Sequence, residues 1–352
     1  PIAGGAERGG MKICVFGTGA VGGWIGGAWA SAGLDVALVA RAGTAAEIAE
    51  HGVTVGDTSG EGPAQAIHLP AGTIACSDDP KLCADADLIL VCVKSIDTEK
   101  AGKLIAKHAR ADAVLLSFQN GISNPERLRA VVPGRTVLAG MVPFNVVRQG
   151  NGRFTKTVAG KLWAEEHDLT RAVRDAVGKR PGALQLTDDM ASVAWSKLLI
   201  NLNNAVNALS GKPLLEQLKD RDYRRVVAAS MDEALLAMKL AGIAPAKTGM
   251  VSPQRLPGIM RLPNALFAAF LKAQGIAPDA RSSMADDFAA GRATEIDFLN
   301  GEVVTLARKH GRNPRVNAGI VQLVKEAEAG IERCWSGKEL AERLLTDKKE
   351  GA

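Results

Sequence analysis

The chain has 352 residues, more than a single hydrophobic core usually serves, and this length suits two domains of ordinary size. A hydrophobic fraction of 47% and a charged fraction of 23% are typical of a globular protein and exclude a disordered or fibrous one. The net charge of +5 is spread along the chain and aromatic residues make up only 4%, so no nucleic-acid-binding surface is expected.

The cysteines and histidines also exclude several classes of protein. Five cysteines, an odd number without a C-x-x-C pair, predict neither a disulfide framework nor a zinc site and are typical of reduced thiols in the cytoplasm. The five histidines include no H-E-x-x-H motif, so no metal is expected. No apolar run reaches the ~18 residues that a membrane span needs. We therefore expect a cytoplasmic protein that does not enter a membrane.

The N-terminus leads quickly into a first predicted strand. Residues 1–10 read PIAGGAERGG, without the apolar stretch of a signal peptide, so we expect a flexible extension there. The β-rich run Lys12–Phe16 follows, and after it a glycine-rich turn opens a helix of small residues that stops near Gly33. The turn consists of Gly17, Thr18, Gly19, Ala20, Val21 and Gly22.

This turn has the G-x-G-x-x-G spacing of dinucleotide-binding proteins. The first glycine permits a tight bend, the second lets a pyrophosphate approach the backbone, and the third lets the helix pack closely on the strand. The phosphate is then stabilised by free N–H groups at the start of the helix. The six residues of the turn are therefore predicted to bind a cofactor.

The next strand predicts which dinucleotide binds. Val36–Ala40 ends at Arg41, where an NAD-specific protein usually has an acidic residue that accepts from the ribose hydroxyls. No acidic residue occurs between Val36 and Ala46. Arg41 suits the 2′-phosphate of NADP, so the sequence favours NADP(H), with an ordinary surface arginine as the alternative.

Three more strand-like runs alternate with segments of helical length, which predicts a doubly wound parallel sheet. The runs are Leu88–Val93, Val114–Phe118 and Val137–Met141. Ligands of such sheets lie beyond the carboxyl ends of the strands, where Lys94 and Asn120 fall. The alternative interpretations are that Lys94 is a solvated surface lysine and that Asn120 belongs to a plain Asn-Gly turn.

The second half of the chain is expected to be helical. From about residue 189 the apolar spacing is that of helices, which predicts an α/β fold: an N-terminal Rossmann domain over 11–188 and an all-helical domain over 189–345. The predicted helix Ser192–Leu209 carries Lys197 among four asparagines, which are poor residues for a helix interior. At about 100° per residue, Asn201 and Asn204 share a face with Lys197, which predicts a polar binding site rather than a solvated stripe.

A second polar segment of this half also contains a candidate functional residue. Thr294 and Asp297 have the spacing of a helix capping box, which places Glu295 in the first turn of a helix that stops at Gly311. There the helix dipole favours an ionised carboxylate, so Glu295 either complements the dipole or has a functional role.

With these motifs assembled, the chain resembles the ketopantoate reductase (2-dehydropantoate 2-reductase) family from Met11 to about residue 330. The motifs that carry the resemblance are GTGAVG, Arg41, VKS at Lys94, QNG at Asn120, WSKLLIN at Lys197, the Ser-Ser-Met of Ser283 and TEIDFLNGEVV at Glu295. The resemblance implies an NADP-dependent oxidoreductase acting on a CH–OH group. It would reduce 2-dehydropantoate to (R)-pantoate in pantothenate biosynthesis.

The resemblance also implies a role for each matched residue. Lys197 would be the general acid that protonates the ketone oxygen. Arg41 and Lys94 would meet the adenosine phosphate end of NADPH, and Glu295 would bond the cofactor near its nicotinamide. The substrate would be held by Asn120, Asn201, Asn204 and Ser283, of which Asn120 also touches the cofactor.

One departure from the family pattern leaves the substrate open. Eight residues after Lys197, where the family has a second substrate asparagine, this chain has Ala205, with Asn204 beside it. The alternatives are a same-fold reductase of another 2-oxo acid and a non-catalytic NADPH-binding sensor. The long apolar segment 256–278 would either reshape the pocket or build a subunit interface, so a homodimer stays an alternative to a monomer.

Overall fold

A computed structural model describes residues 10–61, 65–247, 251–272, 276, 278–331 and 334–346. The expected extension 1–10 lies outside these residues, apart from Gly10. The chain divides into two compact units, one ending at Met190 and the other beginning at Ala191.

The described part of the first unit is an α/β structure. Its strands are β1 (Lys12–Phe16), β2 (Asp35–Val39), β3 (Val53–Asp57), β4 (Gln65–Leu69), β5 (Ala75–Ser77), β6 (Leu88–Val91), β7 (Val114–Ser117), β8 (Val137–Met141), β9 (Val146–Arg148), β10 (Arg153–Lys156), β11 (Leu162–Glu165) and β12 (Leu184–Thr187). Its α-helices are α1 (Ala20–Ser31), α2 (Ala42–His51), α3 (Thr98–His108), α4 (Asn124–Val131) and α5 (Asp168–Val177).

The main sheet has the order β12-β11-β8-β7-β6-β1-β2-β5. The pairs from β5 to β8 are parallel, β11 is antiparallel to β8, and β12 is parallel to β11. Along the sequence, β2 and β5 are added on one side of β1, and β6, β7 and β8 are then added on its other side. Beside β1 the strand order therefore reverses, which is where doubly wound sheets bind their ligands.

Both faces of this sheet are buried, which explains why its strands read as continuous apolar runs. Ile13 and Val15 point into a core with α1 and α5, while Cys14 and Phe16 point into a second core with α3 and α4. This arrangement confirms the predicted doubly wound sheet.

A second sheet, of order β4-β3-β10-β9, was not predicted from the sequence and packs on the outer side of α1. It forms because Val53 and Val55 alternate with more exposed residues in β3, and because Phe154 of β10 is fully buried. The helix α1 is thus enclosed between two sheets.

The described part of the second unit contains helices and 3₁₀ turns without a strand, as predicted. The helices are α6 (Met190–Asn201), α7 (Asn203–Ser210), α8 (Leu214–Lys219), α9 (Arg221–Leu240), α10 (Leu256–Met260), α11 (Asn264–Lys272), α12 (Ser283–Ala289), α13 (Asn300–Lys309), α14 (Arg315–Glu328) and α15 (Gly337–Leu345).

Two helix predictions were wrong in detail. The expected helix Ser192–Leu209 is interrupted at Leu202, between α6 and α7, in a stretch where asparagines weaken the helix. The expected capping box is also replaced: Thr294 Oγ1 accepts from the Ile296 N–H, and Asp297 pairs with Lys325 at 2.7 Å. A 3₁₀ turn follows, and the helix α13 begins only at Asn300.

The segment 256–278 is anchored by a buried arginine. Arg224 of α9 is fully buried, and its Nη1 donates to the carbonyls of Met260 and Leu262 at 2.8 Å each. Its guanidinium lies 4.2 Å from the centre of the Phe267 ring. The part of this segment that the structure describes, α10 and α11, is therefore packed on its own unit.

Candidate active site

In the first unit, four predicted cofactor-binding elements meet at one edge of the main sheet. The glycine turn follows β1, Arg41 follows β2, Lys94 follows β6 and Asn120 follows β7. Because these four strands are parallel neighbours, their carboxyl ends lie at the same edge. This edge is the candidate dinucleotide site.

The three glycines of the turn have different steric surroundings. Gly17 has a φ of +107°, and a Cβ there would lie 2.7 Å from the backbone N of Val93. A Cβ on Gly22 would lie 2.3 Å from the Gly17 carbonyl oxygen. A Cβ on Gly19 would meet nothing within 4 Å, so open space faces the start of α1.

The start of α1 is suited to a phosphate. No side chain caps this helix, and its first turn has no acidic residue. The N–H groups of Ala20 and Val21 begin the helix, where unpaired donors and the helix dipole favour an anion. A second structural feature holds the turn in place, since Thr18 bonds the Val39 carbonyl through both its N–H and its Oγ1, at 3.0 Å each.

Arg41 is the residue before α2 and is exposed, at the end of β2. Among the described residues its side chain has no hydrogen-bond or ion-pair partner. The arginine is therefore available to an anionic ligand at this edge.

A buried polar network missed by the sequence analysis joins the loops that carry Lys94 and Asn120. The Asn120 carbonyl accepts from Ser95 Oγ at 2.8 Å and from Asn124 Nδ2 at 2.5 Å. Gln119 Nε2 donates to Thr98 Oγ1 at 2.8 Å. Ser95, Thr98 and Asn124 are at most 1% exposed, so this network fixes both loops while the Asn120 side chain stays exposed.

These network residues left a signal in the sequence. Ser95 and Gln119 belong to the VKS and QNG motifs, and buried hydroxyl and amide side chains need partners when they follow buried strands. The motifs were assigned to contacts with cofactor and substrate, and their further role in joining two loops was not inferred.

In the second unit, Lys197 lies on α6 and is partly exposed. It has no hydrogen bond or ion pair within the described part of the chain. Burial lowers the pKa of Lys197 to about 8, because an ammonium is less well solvated there than in water. The Lys197 side chain is therefore half-protonated near pH 8 instead of near its ordinary pKa of 10.5.

The structure divides the four asparagines around Lys197 into two kinds. Asn207 is fully buried: its Nδ2 donates to the Lys212 carbonyl, and its Oδ1 accepts from the Ser282 N–H. Asn203 donates to Gln217 Oε1 at 3.3 Å. The side chains of Asn201 and Asn204 have no such partners in the described residues, so their amides are available to a ligand.

The break at Leu202 changes how these residues are placed. Lys197 and Asn201 share α6, one helical turn apart, whereas Asn204 and Ala205 belong to α7. Ala205 is fully buried and Asn204 is partly exposed, so of these two neighbours Asn204 is the one whose side chain reaches solvent. The residues predicted to share one helical face are therefore divided between the two helices α6 and α7.

Ser283 and Glu295 have different surroundings. Ser283 is exposed as the first residue of α12, while the preceding Ser282 caps that helix and donates its Oγ to the Asn204 carbonyl at 3.0 Å. Glu295 is partly exposed and precedes the 3₁₀ turn Ile296–Phe298. The capping pattern had predicted Glu295 in the first turn of an α-helix, and it does not lie there.

The described residues contain no group of three or more histidine, cysteine, aspartate or glutamate side chains arranged to hold a metal ion. Nor does any helix within them have the length and apolar character needed to cross a membrane.

Two family models together match most of the chain. Residues 13–168 match the model described as "Ketopantoate reductase PanE/ApbA", and residues 189–328 match "Ketopantoate reductase PanE/ApbA C terminal". Among curated relatives, a 2-dehydropantoate 2-reductase of Archaeoglobus fulgidus is 29% identical over 91% of this chain and 99% of the relative. One from Halobacterium salinarum is 26% identical over 90% and 99%.

Solved structures give the same picture of the fold. A PanE/ApbA family ketopantoate reductase from Ralstonia eutropha JMP134 has a TM-score of 0.76 and 26% identity, covering 91% of this chain and 99% of its own. A D-mandelate dehydrogenase solved with NADH and anilino(oxo)acetate has a TM-score of 0.75 with the same two coverages. At 19% identity it is similar in fold alone.

Proposed function

Because the chain belongs to the ketopantoate reductase family of oxidoreductases, we propose that it reduces 2-dehydropantoate to (R)-pantoate with NADPH. The observation that carries this proposal is Lys197, a lysine without a partner in the described residues and with its pKa lowered to about 8 by burial. A group of that kind is suited to proton donation near neutral pH. The reaction would supply pantothenate biosynthesis in the cytoplasm, in keeping with five unpaired cysteines.

We assign the dinucleotide to the edge formed by the glycine turn and its neighbours. The open space at Gly19 and the uncapped start of α1 fit a pyrophosphate. Arg41 would bind the 2′-phosphate, with Lys94 at the same end and Asn120 nearer the substrate. Glu295 would bond the cofactor near its nicotinamide, which supplies the hydride when bound.

The chain's own part in the chemistry is to place and protonate the ketone. As the carbonyl carbon gains hydride, negative charge develops on its oxygen, and the Lys197 ammonium would hydrogen-bond that oxygen and then donate its proton to it. The product is the hydroxyl, and Lys197 is left neutral until it takes a proton from solvent. Acid catalysis of this kind contributes roughly 10²–10⁴-fold.

The substrate would be held by amides and a hydroxyl. Asn201 and Asn204 offer side chains without partners in the described residues, and Ser283 offers an exposed hydroxyl. We propose that Asn204 replaces the family asparagine that is absent at Ala205, because Asn204 is partly exposed and Ala205 is fully buried.

A second candidate is a reductase of another 2-oxo acid with the same fold. Ala205 favours it, since a substrate contact of the family pattern is missing there. The likeness in fold to a D-mandelate dehydrogenase shows that this architecture also serves an enzyme named for another 2-hydroxy acid.

The first test is NADPH oxidation at 340 nm by the purified protein, with 2-dehydropantoate and a panel of other 2-oxo acids. Selective turnover of 2-dehydropantoate is expected. Faster turnover of another 2-oxo acid would favour the second candidate. NADPH binding without any turnover would favour a sensor and contradict both reductase proposals.

The variant Lys197→Ala tests the acid. We expect its turnover to fall by about 10²–10⁴-fold while NADPH binding, followed by fluorescence titration, changes little. Lys239→Ala, which removes an exposed lysine of α9, is the matched control. Full activity of Lys197→Ala would remove Lys197 from the mechanism.

The choice of cofactor is tested at Arg41. Loss of a charged hydrogen bond to the 2′-phosphate is expected to raise the KM for NADPH in Arg41→Ala by about 10–100-fold and to leave the KM for NADH nearly unchanged. Arg153→Ala, at an exposed arginine of β10, serves as the control. Equal effects on both cofactors would contradict a phosphate contact.

A further inference from the structure

A polar cluster inside the second unit connects α7 to the start of α12. Asn207 of α7 is fully buried, and Ser282, the N-cap of α12, is 4% exposed. The other members are Ser210, at the end of α7, and the backbone of Lys212 in the loop that follows. Buried polar groups need partners, so the hydrogen bonds of this cluster show which segments it holds together.

Asn207 is bonded on two sides. Its Nδ2 donates to the Lys212 carbonyl and its Oδ1 accepts from the Ser282 N–H, at 2.9 Å each. Ser210 Oγ donates to the Asn207 carbonyl at 2.7 Å and accepts from the Lys212 N–H at 3.1 Å. An asparagine is unfavourable inside a helix, and a buried amide is unfavourable unless it is bonded. The two side-chain bonds of Asn207 offset these effects and fix the backbone at Ser282.

Ser282 in turn connects two residues that we propose to hold the substrate. Its Oγ donates to the Asn204 carbonyl at 3.0 Å and accepts from the Ala285 N–H at 3.2 Å. Ser283 follows directly, as the exposed first residue of α12. Ser282 and Asn204 are 78 positions apart in the sequence, so the distance between Asn204 and Ser283 is set by tertiary contacts, of which this hydroxyl is the most direct.

The orientation of Asn204 matters because its neighbour is Ala205. Consecutive residues of a helix point about 100° apart. Asn204 can therefore replace the family asparagine that is absent at Ala205 only if α7 has one particular rotation relative to Ser283. Groups that bind one small ligand together need to be placed to within about 0.5 Å and 10–20°. The carbonyl of Asn204 is the group that Ser282 binds, so Ser282 controls this rotation.

We propose that Ser282 is a positioning residue, whose hydroxyl holds Asn204 and Ser283 in the arrangement that binds the 2-oxo acid. This inference rests on the reductase function proposed above. Ser282 is buried and its hydroxyl is already bonded to Asn204 and Ala285, so it acts through these neighbours and not on the substrate. Asn207 supports it by holding its backbone N–H.

The test is steady-state kinetics of Ser282→Ala with the 2-oxo acid that the native chain reduces fastest. Loss of the bond to Asn204 is expected to raise the KM for that acid by about 3–10-fold. The Kd for NADPH and the decline of kcat/KM near pH 8 are expected to stay unchanged, because neither the dinucleotide edge nor Lys197 is altered. Ser282→Thr retains the hydroxyl and is expected to keep this KM within about twofold of the native value.

Ser336→Ala is the matched control. Ser336 is also the N-cap of a helix in this unit, α15, and its Oγ bonds Glu339. Loss of a helix cap by itself is therefore expected to leave the KM unchanged. A native KM in Ser282→Ala, or an equal rise in both variants, would overturn the proposal, whereas a native chain without turnover would contradict the reductase function. If Ser282→Ala does not fold, Ser282→Gly removes the same hydroxyl with a residue that suits a helix N-cap.

A second measurement does not depend on turnover. Hydrogen-exchange mass spectrometry of the full chain is expected to show amide exchange about 3–10-fold faster in both α7 and α12 of Ser282→Ala, and in neither helix of Ser336→Ala. Faster exchange in α12 alone would show that Ser282 only caps its own helix. That result would overturn the positioning role whether or not the chain is a reductase.

Discussion

At the scale of the residue, the lowered pKa of Lys197 affects the stability of the fold. Its pKa is lowered from the ordinary 10.5 to about 8, so the unfolded chain binds more protons than the folded chain between these two values. The free energy of unfolding therefore rises with pH across this window, and at neutral pH the charged lysine lowers the stability of the fold. The same unfavourable burial would suit Lys197 to the acid role that we propose for it.

The pH dependence of kcat/KM follows from the same shift. If protonated Lys197 is the acid, kcat/KM is expected to fall as the pH rises through about 8. In Lys197→Arg the guanidinium stays charged throughout this range, so the activity that remains should lose this alkaline decline. An unchanged decline near pH 8 in Lys197→Arg would assign it to another group.

The asparagines beside Lys197 show what residue type alone leaves open. Poor helix propensity made all four unusual, and their spacing predicted a polar face of Asn201 and Asn204 with Lys197. Only their partners separated Asn207, which holds a loop and α12 together, from Asn201, whose amide has no partner within the described residues. A polar residue's role depends on which donors and acceptors lie around it.

At the scale of the element, α1 is shaped by two sheets at once. Gly22 and Gly26 face the main sheet, while Gly23 and Gly27 face the four-stranded sheet. A Cβ on Gly23 would lie 2.4 Å from the Phe154 ring, and one on Gly27 would lie 2.6 Å from Val55. The two Gly-Gly pairs, four residues apart, thus allow close packing on two faces of α1, of which only the contact at Gly22 was predicted from the sequence.

Gly23→Ala is therefore expected to destabilise the fold by about 1–3 kcal/mol, because the ring of Phe154 is fully buried and cannot move aside freely. Gly43→Ala in α2 is the matched control. A Cβ there meets nothing within 4 Å, so a slight gain in stability is expected. Urea denaturation measures both, and an equal midpoint for the two variants would contradict the packing of α1.

At the scale of the whole molecule, the five cysteines belong to both units and differ in burial. Cys14 and Cys83 are buried, and burial raises the pKa of Cys76 to about 11 and that of Cys92 to about 12. Cys334 is exposed. Thiolates are the reactive species, so one thiol of the folded chain should react much faster than the rest.

The prediction is checked with Ellman's reagent. One rapid equivalent is expected in the native protein and five after denaturation, and the rapid equivalent should vanish in Cys334→Ser. Two or more rapid equivalents in the native chain would show that the buried cysteines are more accessible than the structure indicates.

The sequence by itself determined the parallel sheet, the glycine turn and the helical second half. These depend on local patterns: apolar runs, a motif of fixed spacing and helical periodicity. It did not determine the four-stranded sheet, the break at Leu202 or the network that joins Ser95 to Asn120. Strands β3 and β10 lack a continuous apolar run, and their pairing joins residues about a hundred positions apart.

Only the tertiary structure decided which polar residues are engaged and which are available. Ser95, Asn124 and Asn207 are engaged by partners from other loops, and Lys197 acquires its low pKa from burial. Hydrogen bonds and desolvation depend on distances between groups that are remote in the chain. Periodicity and spacing encode the elements, but these distances exist only once the elements have packed.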